Sequence, residues 1–188
     1  MKVIDGKDVD FVKSNVTGGH YGFVTERAQK VFTNKMKEAQ MIELREDDIV
    51  ADIGTYVGEF SLLASPQVKQ VNSYEATPTT FKVLEMNKKD NMNINNMAVV
   101  GDDSKEITLF ISTGVGVTNS IVKTKKGGIT VPAIKYEDAI KDATVVKIDV
   151  EGAEYGYNIV DNLDNIRAIT IEWHPITGNK EREKVAYD

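Results

Sequence analysis

Ile49-Val50-Ala51-Asp52-Ile53-Gly54-Thr55-Tyr56-Val57-Gly58-Glu59-Phe60 is the stretch on which the fold turns. A short apolar run ending at a glycine reads as a buried parallel strand, and a second glycine four residues on opens the segment that follows. Phe60 to Ala64 then looks like the start of a helix, stopped before Pro66. The unit repeats outward. Val71 to Glu75 predicts a second strand, Thr77-Pro78 a helix start with an N-cap and proline at the first helical position, and Met97 to Val100 a third strand. Val145 to Asp149 and Ala168 to Trp173 predict the next two strands, with a short helix after Gly152. Strands alternating with helices imply an α/β, doubly wound, mostly parallel Rossmann-like sheet.

Two regions depart from that alternation. Ile107 to Ile111 and Ile129 to Ile134 are β-rich and predict a peripheral β insertion, whereas Asn91 to Asn96 reads as a polar helix-to-strand loop. Before the core, Asp5-Gly6 between short alternating runs signals a hairpin, Gly18, Gly19 and Gly22 surround His20, and a helix on one apolar face begins at Thr25. The organisation expected is one domain over residues 1–188. Its parts are an N-terminal hairpin and helix at 1–46, a core at 47–174 and a polar tail at 175–188.

Composition narrows the chemistry. Hydrophobic residues make up 41% and charged residues 28%, as in globular chains. There is no apolar run of the ~18–20 residues that span a bilayer and no basic-then-apolar leader pattern, so no membrane partner and a cytoplasmic address are expected. With no cysteine and two histidines, thiolate chemistry and cysteine zinc sites are excluded, and no metal site is assigned. A net charge of −6 disfavours a nucleic-acid partner. The basic clusters Lys123, Lys125, Lys126 and Lys180, Arg182, Lys184 read as a solvated loop and tail.

The glycine turn sits where open α/β sheets bind ligands, at the carboxyl end of a strand. Gly54 permits a tight turn and Gly58 a close approach, with Thr55 between them at the head of a helix. Asp52 immediately before the loop would repel a pyrophosphate but suits an ammonium and a nearby sulfonium, and the spacing is Gly-x-x-x-Gly, unlike the dinucleotide pattern Gly-x-Gly-x-x-Gly. Glu75 ends the next strand, close to the roughly 20 residues at which an acidic side chain accepts ribose hydroxyls. Together these features point to S-adenosylmethionine as the cofactor. Asp102, after the expected third strand, is either an adenine contact or a turn former.

Val146-Lys147-Ile148-Asp149-Val150-Glu151-Gly152-Ala153-Glu154 resembles the signature of FkbM-type methyltransferases. The resemblance runs from about Ile49 to His174. It takes in Asp52-Ile53-Gly54-x-x-x-Gly58, Tyr74-Glu75-Ala76-x-Pro78, Thr118-Asn119-Ser120 and Glu172-Trp173-His174. It implies a class I methyltransferase fold and O-methylation of a small-molecule, sugar or peptide hydroxyl. That fold usually ends in two further antiparallel strands, for which Pro175 to Asp188 is too short and polar. A shortened C-terminal edge is therefore expected, covered by the N-terminal hairpin or by a second copy of the chain.

Methyl transfer needs positioned partners and a base. If the fifth strand lies beside the fourth, His174, Asp149 and Glu151 gather near the cofactor loop. His174 is the first choice for base, its ordinary pKa being near 6.5, against a structural role at the strand end. Glu151 orients substrate or caps the following helix, and for Glu154 capping is the better reading. An RNA methyltransferase and a silent cofactor-binding module remain alternatives. The expected Asn-Pro-Pro-Tyr motif of the former is replaced here by Asp149-Val150-Glu151.

Overall fold

The computed structural model describes residues 42–110 and 128–172. Strands β1 (Ile49–Ile53), β2 (Gln70–Tyr74), β3 (Met92–Asn95), β7 (Val145–Ile148) and β8 (Ala168–Ile171) form one parallel sheet in the order β3-β2-β1-β7-β8. β4 (Ala98–Val100), β6 (Gly128–Lys135) and β5 (Glu106–Phe110) form a second sheet in that order, β4 parallel and β5 antiparallel to β6. This is the expected α/β Rossmann-like architecture with its peripheral β element.

Helices cover both faces because the central strands bury both of theirs. Val50, Val71, Met92 and Val145 pack with Phe60, Leu62 and Ala64 of α1 (Glu59–Ala64) and with Leu84 of α2 (Pro78–Asn87). On the other face Ala51, Ile53, Val146 and Ile148 meet Tyr136, Ala139 and Ile140 of α3 (Tyr136–Ile140). Successive strand residues alternate between these two layers, as a period of two requires. Tyr136 stacks on Tyr157, ring centroids 4.8 Å apart, and the Tyr157 hydroxyl donates to the Val99 carbonyl at 3.0 Å, joining the small sheet to the large one.

The third strand of the main sheet is not Met97 to Val100. Met92–Asn95 takes that place beside β2, and Ala98–Val100 turns away to pair with β6. The Asn-rich stretch is an edge strand, its buried Met92 and partly buried Ile94 alternating with Asn93 and Asn95. Its amides also hold neighbouring backbone. Asn91 donates to the Ser65 and Val68 carbonyls, and Asn96 donates to that of Glu75 at 2.8 Å. The expected helix after Gly152 is reduced to two 3-10 turns, Glu154–Gly156 and Val160–Asn162. α3 lies just beyond the expected β-rich run, where Tyr136, Ala139 and Ile140 recur at helical spacing.

At the amino edge of the sheet, Asp48 is buried and accepts the Arg45 N–H, the Thr144 hydroxyl and the Arg167 guanidinium. Arg167 also donates to the Glu43 carbonyl, so this clasp ties the chain before β1 to the entries of β7 and β8. None of the described helices is long and apolar enough to cross a membrane. The N-terminal hairpin, His20, the basic clusters, Thr118-Asn119-Ser120, His174 and the expected short C-terminal edge lie outside the described residues.

Candidate cofactor and active site

The chain runs from β1 outward to β2 and β3, then returns to place β7 and β8 on the other side of β1. The strand order therefore reverses between β1 and β7, and open α/β sheets bind ligands outside the carboxyl ends of the strands at such a switch point. Two loops meet there, the glycine turn after β1 and the turn after β7.

Gly54 is left-handed, with φ +75°, and a Cβ on it would lie 1.7 Å from the Asp149 carbonyl oxygen. Both facts require glycine. Its N–H and that of Thr55 donate to the Tyr74 carbonyl at 3.0 and 3.1 Å, anchoring the turn to the end of β2. Gly58, with φ +99°, caps α1, and Asn87 of α2 donates to the Val57 carbonyl at 2.8 Å. The two described non-glycine residues with positive φ, Tyr56 at 55° and Glu151 at 52°, sit one in each crevice loop. Left-handed backbone is uncommon for such residues and clusters at sites where surrounding structure holds it.

Glu75 follows β2 directly, beside the glycine turn. One carboxylate oxygen accepts the Tyr56 N–H of the glycine turn at 3.1 Å and the other the Thr77 N–H at 2.7 Å. Burial raises its pKa to about 7, an effect partly offset by those two residues and the charge of Lys147. The Thr77 side chain bonds the carboxylate as well, and of the roughly four acceptor positions of a carboxylate these three bonds leave one for a ligand hydroxyl.

Asp52 is placed differently from its expected role. It is fully buried, and its Oδ2 accepts the Thr55 and Ser61 hydroxyls, both at 2.6 Å. Its Oδ1 faces Lys147 Nζ at 3.2 Å. Direct contact between this carboxylate and a ligand ammonium finds no support in that geometry, because a lysine of the chain already balances its charge. Ser73, Asp52 and Lys147 are register partners across β2, β1 and β7, forming one polar row beneath α1, with Ser61 bonded to Ser73 at 2.7 Å. Lys147 is the site residue that sequence reasoning missed. The signal was present, since a lysine inside Val145-Val146-Lys147-Ile148 must find acceptors if the strand is central.

Asp149 and Glu151 do follow β7 on the crevice side of the sheet. The strand stops at Ile148, so strand alternation does not set their directions. Asp149 Oδ2 lies 3.7 Å from Lys147 Nζ, while Glu151 occupies the left-handed turn before Gly152. Glu154 is buried and accepts the Gly152 N–H at 2.8 Å, bracing the loop ahead of its own 3-10 turn, which has no side-chain cap bond. β8 lies beside β7 in parallel, and the Glu172 N–H donates to the Ile148 carbonyl, so the chain reaches the same edge two residues before His174. Asp102 is exposed and accepts the Ser104 N–H at 3.0 Å, the turn-forming alternative. It follows β4, outside the main sheet, which is why its expected place at the end of a third core strand is not realised. Among the described residues no group of three metal-ligating side chains is found.

No family model and no curated protein matches the sequence. Solved structures overlap it in part. Precorrin 8w decarboxylase from Methanobacterium thermoautotrophicum is 15% identical, the match covering 83% of this chain and 68% of that one at a TM-score of 0.46. Methyltransferase FkbM from Methylobacillus flagellatus is 12% identical over 66% of this chain and 32% of its own, TM-score 0.44. Haemonchus contortus phosphoethanolamine N-methyltransferase 1, solved with phosphoethanolamine and S-adenosylhomocysteine, is 15% identical over 36% and 15%, TM-score 0.33. The chain spans about a third of the length of the first structures it matches, 29%, 32% and 35%. The fold assignment rests on the sheet order itself.

Proposed function

We propose that this chain is an S-adenosylmethionine-dependent methyltransferase of the FkbM type, acting on a hydroxyl of a small molecule, sugar or peptide. One observation carries the reading: Glu75 reaches the glycine turn at the switch point through the Tyr56 N–H, bringing an acidic ribose acceptor and a close-approach turn to one crevice. The residues fit such a ligand. Glu75 would take ribose hydroxyls, the Gly54 to Gly58 turn would lie against the sulfonium and amino-acid portion, and Asp149 would stand nearest the ammonium.

When bound, S-adenosylmethionine supplies a methyl group already activated by its sulfonium. The protein's part is to align the acceptor oxygen and remove its proton as the new O–C bond forms. His174 is assigned the proton, with Glu151 next in line. Calorimetry with S-adenosylhomocysteine and NAD tests the cofactor, and tight NAD binding in competition would overturn it. A labelled methyl donor screened against hydroxylated acceptors then separates an enzyme from a silent binding module.

A further inference from the structure

Lys147 carries a charge where a buried central strand would ordinarily carry an aliphatic side chain. Its ammonium has three donors and faces three oxygens: the Gly54 carbonyl at 2.8 Å, Asp52 Oδ1 at 3.2 Å and Asp149 Oδ2 at 3.7 Å. Asp52 Oδ1 has no well-directed hydrogen bond of its own, so its contact with Lys147 is chiefly one of charge. Three acceptors converging on a buried point would repel one another without a cation between them. Two carboxylates and one ammonium leave the trio with a net negative charge, and solvent reaches it through Asp149. That side chain is 17% exposed, against 0% for Asp52 and 6% for Lys147.

We propose that Lys147 is a positioning residue that selects a ligand bearing an amino-acid head, a proposal that rests on the cofactor reading above. Lys147 cancels the charge of Asp52, fixes the direction of the Gly54 carbonyl and holds Asp149 as the anion presented to the crevice. The nucleoside end of the ligand is gripped elsewhere, by Glu75. Lys147 therefore acts chiefly on one end of the ligand, its charge reaching Glu75 only as the smallest of the influences on that carboxyl, whereas a lysine that only supported the fold would favour neither end.

The test compares two probes by calorimetry: S-adenosylhomocysteine, which has the amino-acid head, and 5′-methylthioadenosine, which shares the nucleoside and thioether but lacks it. Three proteins are used: wild type, Lys147→Met, and the double variant Asp52→Asn/Lys147→Met. The double variant removes a carboxylate together with the cation, so that the fold is not left with an unpaired buried charge. In both variants affinity for S-adenosylhomocysteine should fall about tenfold or more, as when charge-assisted contacts are lost, with 5′-methylthioadenosine changed less than about twofold. Equal losses for both probes, or no loss for either, would overturn the proposal. A wild type that binds 5′-methylthioadenosine as tightly as S-adenosylhomocysteine would overturn it while leaving the nucleoside site intact. A wild type that binds neither removes the cofactor reading itself, before any variant is compared.

Discussion

The carboxylate of Glu75 accepts the backbone N–H of Tyr56 at 3.1 Å, so the end of the second strand and the glycine turn after the first are held by one side chain. Its other oxygen takes the Thr77 N–H at the head of α2. Glu75→Ala should weaken S-adenosylhomocysteine binding by roughly 1–3 kcal/mol, the usual loss when a charged partner is removed and hydroxyls go unpaired. An unchanged dissociation constant with native-like circular dichroism would show that Glu75 does not hold the ribose.

The same group predicts a pH dependence. Its pKa rises from 4.5 to about 7 in the fold, chiefly by burial. Between those values the unfolded chain has lost a proton that the folded chain keeps, so this contribution to stability is full below 4.5, declines as pH rises, and levels off above 7. Its size is on the order of 3 kcal/mol. Urea midpoints of Glu75→Gln, compared with wild type across that window, should lack this decline. Ribose hydroxyls that donate to the carboxylate favour its charged form, so affinity for S-adenosylhomocysteine should rise with pH through about 7 in wild type and not in Glu75→Gln.

Gly54→Ala should be among the most damaging small substitutions. The left-handed backbone alone costs an L-residue about 1–2 kcal/mol, and the added Cβ would meet the Asp149 carbonyl, which belongs to backbone and cannot swing aside. Loss of ligand binding with a lowered melting temperature is the expected outcome. Retention of both would mean that the two loops are not in contact.

Asp48 offers a contrasting prediction at the opposite edge. Burial works to raise its pKa, but Arg167, the Thr144 hydroxyl and the Arg45 N–H outweigh that and hold it below the usual carboxylate range. Its contribution to stability is therefore present above the unfolded pKa, near 4, and lost as pH falls through the lower folded value. Asp48→Ala should cost roughly 3 kcal/mol by leaving Arg167 unpaired, with ligand affinity unchanged in protein that remains folded. A change in affinity at temperatures well below unfolding would contradict the separation of the two edges.

His174→Ala should lower turnover by about 10²–10⁴-fold while leaving cofactor affinity nearly intact, if His174 takes the acceptor proton. Wild-type activity should rise through the histidine pKa, and the variant should lack that limb. Full turnover with the same limb would move the assignment to Glu151.

The main strands were legible because Ile49 to Ile53 and Val145 to Ile148 are largely buried and read as short, mostly apolar runs, each interrupted by one charged residue. The edge strand was not, because Met92-Asn93-Ile94-Asn95 buries only one set of its residues and its asparagines resemble a loop. The places of Gly54 and Glu75 just after strands could be read from order and spacing alone, since both depend on where a strand ends. Asp52 could not, because its partner Lys147 lies across the sheet, far along the chain, and only the register of β1 against β7 puts the two side by side. The place of Asp102 depended on the third strand, and it follows a strand of the small sheet instead.

The stack of Tyr136 on Tyr157 gives the protein an optical reporter of its own. One ring opens α3 just after the small sheet, and the other follows the turn beyond β7, so the two stay parallel only while the sheets remain docked. Closely stacked phenols are excitonically coupled, and part of the near-ultraviolet circular dichroism of this chain should therefore follow that joint. Loosening of the small sheet can be watched in unlabelled protein, separately from the far-ultraviolet signal of the helices.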